Sequence, residues 1–123
     1  MQERRQFVRL TTRVPVDCTV LPSGTAQRIV SKDLSGGGVR LCTESRLPSG
    51  ASLQLTIYLP GREQPVYATA EVMWSEESQV TSRRDRQRRV ETGARCVEIA
   101  PDDHATLTQF VSASLRSVTT LSL

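Results

Sequence analysis

Apolar and polar residues alternate with a period of two through most of the first hundred positions. Val14, Val16, Cys18 and Val20 alternate with Pro15, Asp17 and Thr19, and Val39, Leu41 and Thr43 with Arg40 and Cys42. The same pattern runs through Leu53, Leu55, Ile57 and Leu59, then through Val66, Ala68, Ala70, Val72 and Trp74, and returns from about Val90 to Ile99. A weaker run covers Arg28 to Leu34. Turn residues separate these runs at Pro22-Ser23-Gly24, Gly36-Gly37-Gly38, Pro48-Ser49-Gly50 and Pro60-Gly61. Six short strands with one apolar face each predict a mainly β fold, a six-stranded antiparallel barrel or sandwich. At Pro101-Asp102-Asp103 the period changes: proline suits a first helical turn, and the two carboxylates suit the positive end of a helix dipole. Leu107, Phe110, Val111, Ser114 and Leu115 keep helical spacing, so a helix over 101–116 is predicted to pack on the β body. The tail from Ser117 to Leu123 has no clear period.

At 123 residues the chain fits a single domain, and 37% hydrophobic with 24% charged residues is the balance of a folding one. No apolar run reaches the roughly 20 residues that span a bilayer, and Met1-Gln2-Glu3-Arg4-Arg5 does not begin a signal peptide, so a cytoplasmic protein is expected. Cys18, Cys42 and Cys96 are odd in number and widely spaced, which argues against disulfides and structural zinc; Cys18 and Cys96 fall in phase with apolar neighbours and are predicted to be buried. His104, the one histidine, stands beside two aspartates in the predicted first helical turn and reads as a solvated surface residue, not a general base. Asp33 occupies the place where a nucleophile elbow around Ser35 needs glycine, and no Lys follows Gly36-Gly37-Gly38 as a phosphate loop requires. No enzyme is expected, and no metal.

The net charge is +3, and fifteen of the sixteen basic residues are arginine, Lys32 being the exception. Two groups of residues give part of that bias a chemical meaning. In Arg4-Arg5-Gln6-Phe7-Val8-Arg9 the four-residue spacing sets Arg5 and Arg9 on one face of either an extended or a helical segment. Paired guanidinium groups suit phosphates and the O6 and N7 acceptors of guanine. In Asp33-Leu34-Ser35-Gly36-Gly37-Gly38, Asp33 and Ser35 share one face of an extended strand while Leu34 faces the core. A carboxylate accepts from the N1 and N2 donors of guanine, and glycine lets backbone approach a ligand closely.

Arg5-x-x-x-Arg9 followed by Asp33-x-Ser35-x-x-Gly38, on six strands with a closing helix, resembles the PilZ domain family of bacterial cyclic di-GMP receptors. Glu71-Val72-Met73-Trp74 looks like the family's late strand and Gly93-Ala94-Arg95-Cys96 like its ending, so the resemblance covers roughly residues 3 to 115. It implies a split-barrel type of β-barrel over 14–99, an arginine arm over 1–13 and a helix over 101–116. Arg5 and Arg9, with Arg4 as an auxiliary, would contact phosphates and guanine Hoogsteen edges. Asp33 and Ser35 would bind the opposite edge, and Gly38 would keep the turn open. Arg40 is a further candidate for the ligand, and so is Trp74 as a stacking partner, although the parity of Trp74 matches the inward set and predicts core packing.

The function implied is a non-catalytic receptor, stand-alone or excised from a larger protein, whose arm closes on cyclic di-GMP and which regulates a protein effector in motility, biofilm or exopolysaccharide control. A nucleotide-independent interaction module is the alternative. Two Phe, two Tyr and one Trp are few for a single-stranded nucleic-acid platform, so nucleic acid is not the expected partner. The run Arg83-Arg84-Asp85-Arg86-Gln87-Arg88-Arg89 is expected to form a solvated hairpin loop.

Overall fold

The computed structural model describes residues 9–22, 24–81 and 86–121. Seven strands precede one helix: β1 (Arg9–Thr11), β2 (Pro15–Val20), β3 (Thr25–Ser35), β4 (Gly38–Thr43), β5 (Ser52–Ile57), β6 (Val66–Thr81), β7 (Arg86–Ile99) and α1 (Pro101–Leu121). All pairings are antiparallel, and the ring β3-β2-β5-β6-β7-β4 closes on itself through β3–β4, a six-stranded barrel with β1 added outside against β3. Closure removes the exposed edges that an open sheet of this size would present.

The alternation in the sequence is the alternation in burial. Val16, Leu34, Leu41, Leu53, Leu55 and Ala70 point inward and are wholly buried. Each fully buried Leu or Val side chain contributes about 1.5–3 kcal/mol relative to exposure. Two polar side chains share this interior and are satisfied there. Thr92 Oγ1 meets Thr43 Oγ1 at 3.0 Å and Ser75 Oγ at 2.9 Å. Ser31 Oγ donates to Thr12 O at 2.6 Å and accepts from Val14 N at 3.0 Å. The Ser31 bonds fix the crossing from β1 to β2, and with it the base of the segment that carries the arm arginines.

α1 runs past the expected boundary at Arg116 to Leu121. Its first turn is tied to the barrel through Asp103, whose Oδ2 accepts from Tyr67 N at 3.3 Å, while Leu107 and Val111 enter the core. The helix packs against β6, β1 and β3. β6 and β7 are longer than the alternation predicts, so Arg86–Arg89 belongs to strand rather than loop; Arg83, Arg84 and Asp85 lie outside the described residues. Cys18 is buried, and burial pushes its thiol up to about 11. Cys96 opposes the buried Ala70 yet is only half-buried, because it opens onto a cleft beside Gly36 and Gly37. Among the described residues no helix is long and apolar enough to cross a membrane.

Candidate functional site

The strand register builds the site. Thr11 opposes Asp33, Asp33 opposes Arg40, Arg40 opposes Gly93, and Gly93 opposes Trp74, one continuous row across β1, β3, β4, β7 and β6. Directly opposed residues share a sheet face. The flanking row on one side, Leu10, Leu34, Val39, Ala94 and Val72, is buried in the core, so the Asp33 row faces outward. Beyond that buried row the outward face returns: Arg9 opposes Ser35, and Gly38 opposes Arg95, which opposes Glu71. These two outer rows and the start of α1 surround a cleft of about 540 Å³, within the size range of small-molecule sites.

At its polar end Arg40 Nε lies 3.1 Å from Asp33 Oδ2, an ion contact whose direction leaves Nε without a hydrogen bond. Side-chain exposures of 10% for Asp33 and 29% for Arg40 put this contact in a partly desolvated place, where a one-pronged pairing is weakly compensated. Arg40 is shared further: Nη1 is 3.9 Å from Glu91 Oε2, Cζ is 5.9 Å from the ring centre of Trp74, and Glu91 also takes an ion pair from Lys32. Beside Asp33, Ser35 Oγ accepts from Gly38 N at 3.1 Å and from Gly37 N at 3.3 Å and lies 3.2 Å from Gly38 O. The hydroxyl thus organises the glycine turn. Gly38 itself is required by packing: a Cβ there would stand 2.6 Å from Ala94 O on β7.

The far end of the cleft is apolar, with Met73, Trp74, Ala94 and Ile99. Trp74 is not a core residue. The β6–β7 register shifts between Val72 and Trp74, an extra residue that reverses the parity after Val72 and turns Trp74 outward to 38% exposure, with Met73 also exposed. Gly93 makes the space: a Cβ on it would overlap the indole, so the ring lies on bare backbone. His104 corrects a second expectation. It is half-buried rather than solvated, with Nε2 donating to Gly36 O at 3.0 Å, and it lines the same cleft.

Of the residues singled out from the sequence, Asp33, Ser35, Gly38, Arg40 and Trp74 come together in the cleft. Arg9 joins them by its backbone position opposite Ser35. Arg4 and Arg5 lie outside the described residues. Sequence reasoning missed Gly93, Arg95 and His104. Arg95 is exposed at the rim, its Nη2 3.7 Å from Glu71 Oε2. The parity of Gly93 and Arg95 within a predicted strand was a usable signal, but the proximity of His104 to Gly36 had none.

The PilZ domain family model matches residues 3–113, and the chain belongs to that family. Comparison with curated proteins gives no match. Among solved structures, the PilZ domain of Escherichia coli YcgR, determined with c-di-GMP, superposes with a TM-score of 0.75 at 18% identity, covering 98% of each chain. The Bacillus subtilis inhibitor of motility MotI gives 0.73 at 23% identity, over 94% of this chain and 53% of that one. The MrkH–c-di-GMP complex of K. pneumonia gives 0.67 at 17%, over 98% and 54%. The chain therefore spans about half the length of MotI and of MrkH.

Proposed function

We propose that this domain is a receptor for cyclic di-GMP that acts by binding and not by catalysis, and that it signals to a protein effector. The observation that carries the reading is the register of β1 on β3. It puts Arg9 opposite Ser35 and Thr11 opposite Asp33, so the backbone of β1 runs beside the strand that carries the carboxylate and the hydroxyl. In this reading Arg4, Arg5 and Arg9 bind phosphates and Hoogsteen edges, as donors only. Asp33 accepts from the guanine N1 and N2 donors, leaving its contact with Arg40 to do so. Arg40, released, follows the ligand's phosphate or base plane, and Trp74 offers its exposed face for stacking. Gly38 admits backbone close to the nucleotide. Family membership and the cyclic di-GMP complexes of YcgR and MrkH support the choice of ligand.

Calorimetric titration of the full chain with cyclic di-GMP tests the reading. Saturable heat at tens of micromolar protein is expected, absent with Arg5→Ala or Arg9→Ala. A folded sample that gives no heat contradicts it, and an effector complex indifferent to nucleotide would establish the interaction module instead.

A further inference from the structure

Gly36, Gly37 and Gly38 form the part of the cleft that is most costly to hold in one conformation, because glycine loses more backbone freedom on ordering than any other residue. The barrel strands themselves hold part of it: Ser35 Oγ accepts from the Gly37 and Gly38 amides, and Cys96 N donates to Gly37 O at 3.0 Å. The Gly36 carbonyl is held from outside the sheet. Among the described residues, the side chain bonded to it is His104, in the first turn of α1 and 68 positions away in the chain.

That turn of the helix is itself fixed to the barrel. His104 N closes the first helical bond to Ala100 O at 2.9 Å, Asp103 receives Tyr67 N, and Leu107 is buried one turn later. α1 also packs on β1, whose residues lead out to the arm, and on β3, which carries Asp33 and Ser35. One helix therefore touches the three parts that a nucleotide must engage together: the arm base, the acceptor strand and the glycine turn.

We propose that His104 is a positioning residue for the glycine turn, and that through it the docking of α1 and the occupancy of the cleft are linked. Nε2–H holds the Gly36 carbonyl in one orientation, which leaves the remaining turn to meet the ligand with its backbone already set. Linkage is reciprocal: a ligand that favours the ordered turn favours the docked helix by the same factor. α1, which continues to Leu121, is then the element whose stability reports the bound state. The ligand half of this inference rests on the receptor reading above; the contact between turn and helix does not.

The experiment compares wild type, His104→Leu, His104→Ala and His104→Gln, whose amide can still donate. Hydrogen exchange is measured first without nucleotide, and cyclic di-GMP affinity and α1 exchange are measured afterwards. In the leucine and alanine variants the Gly37 and Gly38 amides are expected to exchange faster, affinity to fall roughly five-fold, as for one lost hydrogen bond, and ligand-induced protection of α1 to disappear. Glutamine should restore all three. Gly37 and Gly38 exchange equal to wild type in the folded leucine or alanine variant overturns the positioning role, and so does unchanged affinity or no restoration by glutamine. Should wild type bind no cyclic di-GMP, the receptor reading fails, and the ligand-free exchange still decides whether His104 sets the turn.

Discussion

Two clusters on this barrel are made of the same chemistry, a carboxylate opposed in register to an arginine beside an aromatic ring. In the first, Asp17 on β2 opposes Arg28 on β3, with Tyr58 close by; in the second, Asp33 on β3 opposes Arg40 on β4, with Trp74 close by. The first is complete. Arg28 donates to Asp17 from both Nε and Nη2, Tyr58 OH adds a bond to Asp17 Oδ2 at 2.7 Å, and the guanidinium lies 4.8 Å from the tyrosine ring centre. The second is more buried and less complete: one ion contact at 3.1 Å without hydrogen-bond geometry, and a ring at 5.9 Å. Burial raises the cost of an imperfect pairing, while exposure makes a perfect one worth little. The satisfied cluster is a surface brace. The unsatisfied one stands whole in the cleft of about 540 Å³ beside the glycine turn, whereas of the first only Arg28 borders a hollow, with Pro15, Val30 and Thr43.

The contrast breaks most readily at the carboxylates. On the receptor reading Asp33→Ala would remove an acceptor of two guanine donors, and hydrogen bonds to a charged group are worth about 1.5–3 kcal/mol each, so cyclic di-GMP affinity is expected to fall at least about 100-fold. Asp17→Ala should leave it unchanged, and calorimetry on the pair decides the matter. Next comes the floor under the indole. Gly93→Ala forces Trp74 off the backbone, and overpacking of this kind costs about 1–3 kcal/mol. A lowered Tm and a shifted emission of the single tryptophan are expected. On the same reading Trp74→Ala is expected to keep the fold and lose one stacking partner, weakening binding about ten-fold by the usual worth of a base–aromatic stack. In the parent protein, nucleotide should quench Trp74 fluorescence.

The smallest effect concerns acid. The Arg28 hydrogen bond, followed by that from Tyr58, holds the Asp17 carboxyl below its ordinary value of 3.8. A carboxylate depressed in the folded state adds stability above the unfolded value and loses it as pH falls through the folded one. Below about pH 4 the wild type should therefore lose a small increment of Tm that Asp17→Asn does not lose, small because the pair is exposed. An equal loss in both variants would remove the brace.

What the sequence discloses follows from how local the determining physics is. Strand positions are legible because a barrel strand buries every second residue, so Leu53, Leu55 and Ile57 announce themselves by spacing. Asp33, Ser35 and Gly38 are legible because they fall within six residues of one another at a single strand-to-strand turn. Trp74 is misread as inward for a definite reason: a single extra residue at the β6–β7 bulge reverses the face, and nothing in Glu71-Val72-Met73-Trp74 marks where it falls. His104 is misread as solvated because its partner is a backbone carbonyl brought near by the docking of a helix. Gly93 gains meaning only once the indole above it is placed. Local alternation discloses the barrel; the furnishing of its cleft depends on register and docking, which are set between distant segments.

The central claim is that the Asp33–Arg40–Trp74 cluster receives a guanine nucleotide while its counterpart only braces the surface. It is tested most directly by nuclear magnetic resonance on isotope-labelled full chain titrated with cyclic di-GMP, following the glycine amides, the arginine Nε–H groups and the single indole N–H. The account predicts large shifts at Gly36 to Gly38, at Arg40 Nε–H and at the Trp74 indole, with Arg28 Nε–H unmoved. Shifts centred on Arg28, or saturation that leaves Arg40 and Trp74 where they were, would contradict it.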